Sequence, residues 1–183
     1  MNRRTLMKLG LAAGAAAGLS PRGLAEDDPA SLRPRPGDWL VRAGDSGATP
    51  LEARDIPPAA APILAWAMDP AARIVRSGSR LNRLLLQRFD PDLLSGETRD
   101  RAADGVVAYT AICTHTGCDT TDWLADEQLL SCPCHFSKYD PKASAMVVDG
   151  PAPRPLPALP LKIAEGRLAV AAPFTARVGF EQA

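Results

Sequence analysis

Cys113-Thr-His115-Thr-Gly117-Cys118 and Cys132-Pro-Cys134-His135 are the two stretches on which the reading of this chain turns. Together they hold all four cysteines and both histidines of its 183 residues. No other position can supply a thiolate or an imidazole. Soft sulfur and imidazole donors gathered in two paired loops mark a metal or iron–sulfur site.

The residues around the loops read as strands. Val106 to Ile112 is rich in Val, Ala, Tyr, Thr and Ile and ends at Cys113. Leu129 to Ser131 is shorter and ends at Cys132. Both loops are therefore offered by a β scaffold. Further strands are expected at Trp39–Ala43, Ile63–Met68 and Met146–Val148, and a hairpin at Leu161–Ala164 and Arg167–Ala171 turning at Glu165-Gly166. Leu81–Phe89 fits both a helical face and a strand, and its shortness between turns favours a strand. Pro91–Ala103 is the best helix candidate, charged and exposed. Gly150 to Pro160 carries five prolines and cannot sit inside a sheet.

Composition agrees. Apolar residues make up 46% of the chain, enough for an ordinary core, while aromatics are only 5% and Pro (18) and Gly (14) are plentiful. That balance suits a loop-rich β protein better than a helical bundle. The net charge is zero, and no basic patch with interleaved aromatics supports nucleic-acid binding.

The first 25 residues stand apart. Arg3-Arg4-Thr5-Leu6-Met7-Lys8 precedes an apolar stretch from Leu9 to Leu19, and Gly23-Leu24-Ala25 offers small residues for cleavage. This reads as a twin-arginine export signal, with Asn2 where Ser or Thr is usual. The apolar stretch falls short of the ~20 residues that span a bilayer comfortably. Cleavage is expected, with an uncleaved short anchor as the alternative. Losing Arg3, Arg4, Lys8 and Arg22 would leave 17 basic against 21 acidic residues, a mildly acidic surface that suits a basic partner such as a c-type cytochrome. Residues 26–37 read as a polar, proline-rich linker, and 38–183 as the folded domain. The export route places the mature chain in the periplasm, where a disulfide persists.

A [2Fe–2S] cluster needs four ligands. Replacing two thiolates on one iron by neutral imidazoles removes negative charge and favours the reduced state, which puts such centres between roughly −150 and +300 mV. Cys113-x-His115 and Cys132-x-x-His135 supply one Cys and one His from each loop. Cys118 and Cys134 remain, and an exported chain is expected to pair two such spare cysteines.

At this point the chain resembles a Rieske iron–sulfur protein of the disulfide-containing, high-potential type, over about residues 106–170. The resemblance implies an all-β fold, an antiparallel β-sandwich with a small cluster-binding subdomain (about 106–153) inserted. It implies Cys113, His115, Cys132 and His135 as ligands of one [2Fe–2S] cluster, and Cys118 with Cys134 as the disulfide. Ser137 and Tyr139 match positions whose hydroxyls hydrogen-bond a bridging sulfide and a ligand sulfur. Gly150-Pro151-Ala152-Pro153 matches the loop that covers the cluster from a third side. A Cys2His2 zinc module for assembly is the remote alternative, and it would leave Ser137, Tyr139 and the proline loop unexplained. Trp39, Trp66 and Trp123 read as core or lid residues rather than redox relays.

Once the cluster is built no histidine is left for a second iron centre, which excludes a ring-hydroxylating oxygenase. Two exported classes remain. One is a small subunit of a larger enzyme, such as an arsenite-oxidase-like molybdenum enzyme, or a donor to a c-type cytochrome. The other is the quinol-oxidising subunit of a cytochrome bc complex. Phe136 after the second ligand His, and Thr116 after the first, resemble the former more than the latter. The proline loop looks more like the bc form. No independent catalytic residue is expected.

Overall fold

In a computed structural model of the chain, the structure describes residues 28–180; the proposed signal lies outside them. The fold is all-β. Its strands are β1 Trp39–Arg42, β2 Ile63–Asp69, β3 Ile74–Val75, β4 Leu84–Arg88, β5 Val106–Thr110, β6 Asp122–Leu124, β7 Leu129–Ser131, β8 Lys138–Asp140, β9 Met146–Asp149, β10 Leu161–Ala164 and β11 Arg167–Val170. Two antiparallel sheets result. The larger runs β10-β11-β1-β2-β4-β5, with β3 beside β2; the smaller runs β6-β7-β8-β9 and is inserted between β5 and β10.

The large sheet curls on itself. Its two ends meet where Tyr109 of β5 bridges Ala158, just before β10. Leu159 N–H donates to the Ala108 carbonyl and Thr110 N–H to the Pro157 carbonyl. The proline-rich stretch therefore stays out of the sheet interior until its last residues, which close the edge. Inside the curl lie Leu40, Ala65, Ala67, Leu84, Leu86, Val106, Ala108, Leu161, Leu168 and Val170. Each strand contributes alternate residues, as a sheet with one inward face requires.

β4 and β5 are covered on both faces. Leu84 and Leu86 enter the curled core, while Leu85, Val107 and Tyr109 point outward and pack with Leu130, Tyr139 and Leu156 of the inserted unit. A strand buried on both faces loses its polar–apolar alternation. This explains why Leu84-Leu85-Leu86 reads ambiguously in sequence yet forms a strand, paired Leu84↔Thr110, Leu85↔Tyr109 and Leu86↔Ala108.

The expected helix over 91–103 is two pieces. A 3-10 turn, Pro91–Leu93, is capped by Asp90, and α1 covers only Gly96–Arg101. Buried Leu94 and the Ser95 cap separate them, because Ser95 N–H is drawn off to the Lys142 carbonyl.

Residues 28–37, the described part of the stretch read as a linker, are tied to the barrel. Gly37 N–H donates to the Val170 carbonyl, and Asn82 Nδ2 donates to the Leu32 carbonyl. Arg76 and Asp38 next to this segment form a buried, doubly hydrogen-bonded pair, Nε–Oδ2 2.5 Å and Nη2–Oδ1 2.9 Å. Such a pair costs several kcal/mol to break from one side, so it fixes where β1 begins.

Candidate metal centre

Both ligand loops are tight and share one backbone device. In the first, Gly117 N–H donates to the Cys113 carbonyl and Cys113 N–H to the Cys118 carbonyl. In the second, Phe136 N–H donates to the Cys132 carbonyl and Cys132 N–H to the Ser137 carbonyl. The fifth residue of each loop lies in the left-handed region, Gly117 at φ +79° and Phe136 at φ +60°. The first loop begins three residues past the end of β5 and the second directly after β7, and the Cys118–Cys134 bridge shows that the fold brings the two together.

Cys113 and Cys132 are free and buried. Cys118 and Cys134 form a disulfide across the loops. The Cys132 sulfur lies within 4.8 Å of the two bridged sulfurs. Those two are bonded to each other and cannot act as thiolate ligands, so that trio is not a metal site. The His115 and His135 rings meet edge to face with centroids 4.7 Å apart. His115 is half-buried and His135 is exposed. The expected residues therefore come together: two thiols inside, one imidazole half-buried and one exposed, and a disulfide beside them.

Three observations show that this donor set fits a soft metal group. The Nδ1 atom of His115 is buried and has no hydrogen-bond partner in the protein, an arrangement that costs energy unless another atom occupies that lone pair. Burial pushes the Cys132 thiol up, and the adjacent Cys113 sulfur pushes it further, against backbone N–H groups of Cys134 and His135 that favour the thiolate. Two neighbouring buried sulfurs become stable thiolates only with positive charge between them. Finally, the two imidazoles stand beside each other, ring centroids 4.7 Å apart, so two nitrogen donors accompany the two free sulfurs.

Two buried hydroxyls flank the loops, and that of Tyr139 reaches a sulfur. Tyr139 OH lies 3.2 Å from Cys113 Sγ and donates to it when that sulfur is a thiolate. Burial pushes the Tyr139 phenol far up, with Cys113 adding to the shift, so it stays protonated and keeps its proton for that bond. Ser137 is fully buried, and its Oγ accepts from Ala152 N–H at 3.1 Å. That bond uses a lone pair and leaves the hydroxyl proton to donate. Gly150 is a close approach: a Cβ there would stand 2.5 Å from Ser137 Cα, so only glycine lets the Gly150–Pro153 loop lie against the second ligand loop.

Some participants have no sequence signal. Thr114 Oγ1 donates to the Arg154 carbonyl at 2.7 Å and lies 3.5 Å from Tyr139 OH, so it links the first loop to the proline loop. Arg154 in turn donates to the Gly179 carbonyl, joining the C-terminal segment to the same group. Separations of 25 to 40 residues hide these pairs from any reading of the chain. Trp123 packs against the core of the inserted unit, as expected for a core or lid residue.

With this geometry the comparisons with known proteins agree. Residues 93–160 match the model of the Rieske [2Fe-2S] domain, and the chain carries such a domain there. The resident group of this domain is a [2Fe–2S] cluster.

Relatives extend the similarity. A Haloferax mediterranei protein named "Putative respiratory nitrate reductase subunit Rieske" is 38% identical over 106 residues, which cover 57% of this chain and 47% of that protein. The cytochrome bc1 complex Rieske iron-sulfur subunit of Streptomyces lividans is 35% identical over 98 residues, 52% of this chain and 58% of that one. The chain thus spans about half the length of these curated relatives. The solved soluble domain of Rieske protein II from Sulfolobus acidocaldarius aligns with 25% identity and a TM-score of 0.39, covering 52% of this chain and 65% of that one.

Proposed function

We propose that this chain is a periplasmic one-electron carrier, holding one high-potential [2Fe–2S] cluster on Cys113, His115, Cys132 and His135. The observation that carries the reading is the unpartnered, buried His115 Nδ1 beside two buried free sulfurs. The cluster, when bound, supplies storage of a single electron. The chain's own groups decide how favourably that electron is held. Tyr139 OH stabilises extra negative charge by donating to Cys113 Sγ, and we assign the same role to the hydroxyl proton of Ser137, whose Oγ already accepts from Ala152 N–H. Cys113 and Cys132 are buried, and low access to water strengthens such bonds. His135 is exposed and offers the edge for electron exchange.

The carrier serves as a small subunit or partner of a larger oxidoreductase. Relatives named as nitrate reductase and bc1 subunits support membership in a larger redox assembly. The bc1 relatives favour quinol oxidation as the second reading. Thr116, at the position beside the first ligand His, speaks for the enzyme-subunit or c-type cytochrome reading instead. No helix among the described residues is long and apolar enough to cross a membrane.

Iron and acid-labile sulfide analysis of the purified full chain tests the cofactor. Two irons and two sulfides per chain are expected; one zinc without sulfide would leave the assembly-module reading standing. Cell fractionation with N-terminal sequencing tests export and cleavage after residue 25. Copurification from the periplasmic fraction, followed by reduction of the cluster by the copurified enzyme, tests the partner.

A further inference from the structure

The first ligand loop is gripped from the barrel as well as from its own sheet. Arg80 lies in the 3-10 turn Arg80–Asn82 that precedes β4. Its Nη2 donates to the Gly117 carbonyl at 2.8 Å and to Asp119 Oδ1 at 2.7 Å. Arg83 Nη1 donates to Asp119 Oδ2 at 2.7 Å, and its guanidinium lies over the Trp66 ring. Gly117 and Asp119 are the two neighbours of Cys118. Barrel guanidiniums therefore hold the chain on both sides of one disulfide sulfur. Phe180 fills the notch that Gly117 leaves; a Cβ there would stand 2.9 Å from the ring.

The second loop has no such grip. Residues 132–137 contain no Asp, Glu, Lys or Arg. Beyond its own backbone it is tied by the disulfide and by the Ser137–Ala152 bond.

Exposure decides what the ion pairs can do. The Arg80 side chain is 53% exposed and that of Asp119 31%. Solvent-screened pairs of this kind add little to global stability. Their geometry is a different matter: one Arg80 nitrogen is shared between a backbone carbonyl and a carboxylate, and Asp119 is held at both oxygens. Such a charge-assisted set fixes position more than it adds energy.

We propose that Arg80, Asp119 and Arg83 are positioning residues for the metal centre. They set the position of the first loop directly, and that of the second loop through the Cys118–Cys134 bridge. The exchange arm of the test below does not depend on the electron-carrier reading; only the potential arm rests on it, and iron and sulfide analysis separates failure of the two.

Amide hydrogen exchange on the full chain, metal-free and metal-loaded, is the first measurement, with R80Q, R80K and D119N. Exchange at the Cys113 and Gly117 amides rises at least tenfold in R80Q and D119N, while β2 and β4 amides do not change. R80K restores the charge but not the planar fork, and behaves like R80Q. With the disulfide intact, the Phe136 amide loosens too; after its reduction, the effect of R80Q stays within the first loop.

The second measurement is the midpoint potential and the reduced-state EPR spectrum of the loaded protein. Repositioned ligands change the EPR anisotropy in R80Q and D119N alike. A pure charge effect instead moves the potential in opposite directions in the two variants and leaves exchange untouched, and that result overturns positioning. Uniform loosening across the barrel, or no change in either variant, also overturns it. If R80Q fails to fold, the isosteric D119N carries both measurements.

Discussion

The two ligand loops use the same backbone turn and place different chemistry on it. Each runs six residues from its first Cys, closes with the same pair of backbone hydrogen bonds, and has its fifth residue at positive φ. The first loop puts its His third, its left-handed residue is glycine, and its sixth residue enters the disulfide. The second puts its His fourth, with Cys134 third, Phe136 fifth and Ser137 sixth. The first loop is enclosed: His115 is half-buried and Gly117 lies under Phe180. The second is open: His135 is exposed, and Phe136 is 70% exposed in a conformation that a bulky side chain adopts at a cost. One turn geometry thus yields a fixed wall on one side of the site and an accessible edge on the other.

Substituting a ligand breaks the comparison most severely. His115→Ala and Cys132→Ser should each abolish cluster retention, read as iron and sulfide per chain. Wild-type loading in either variant sinks the ligand assignment.

Removing the bridge between the loops comes next. Cys118→Ser with Cys134→Ser should cost about 3 kcal/mol, the chain-entropy value for a loop of this length. Loss should concentrate in the second loop, seen as faster amide exchange there than in the first. Equal loosening of both would mean that the first loop has no separate support.

The fifth position sharpens the contrast at smaller cost. Gly117→Ala should destabilise by about 1–3 kcal/mol, because alanine is strained at that φ and meets Phe180. Phe136→Gly should relieve strain and change stability by no more than about 1 kcal/mol. Thermal unfolding of both proteins checks the order; a Phe136→Gly loss as large as that of Gly117→Ala would show that the aromatic ring is held within the chain.

The hydroxyls give the finest test. Ser137→Ala and Tyr139→Phe should each keep the cluster and lower its midpoint potential, by the worth of roughly one hydrogen bond to a charged group, about 1.5–3 kcal/mol. An unchanged potential sets that role aside.

Much of this was legible in the chain because the site's chemistry is carried by residue type. Six Cys and His residues confined to 113–135 leave few partitions, and the strands that lead to them are short apolar runs, although β5 stops at Thr110 rather than at Ile112. The turn at Glu165-Gly166 and the hairpin around it followed from local rules. The helix over 91–103 did not, because Ser95 and Leu94 answer to Lys142 and the core rather than to helical periodicity. β6 and β8, three residues each, carry too little pattern to stand out, and they exist through pairing with β7.

The sequence by itself offered the candidate donors and pointed to the all-β class, since these depend on which residue types the chain owns and how its short apolar runs are spaced. Tertiary structure alone decided which imidazole is enclosed, that the large sheet closes on itself, and that Arg80 and Arg83 reach Asp119 across 36 to 39 residues. Those outcomes depend on which surfaces the curled sheet brings together. No local spacing encodes that, because burial and long-range hydrogen bonds select it only when the whole sheet has formed.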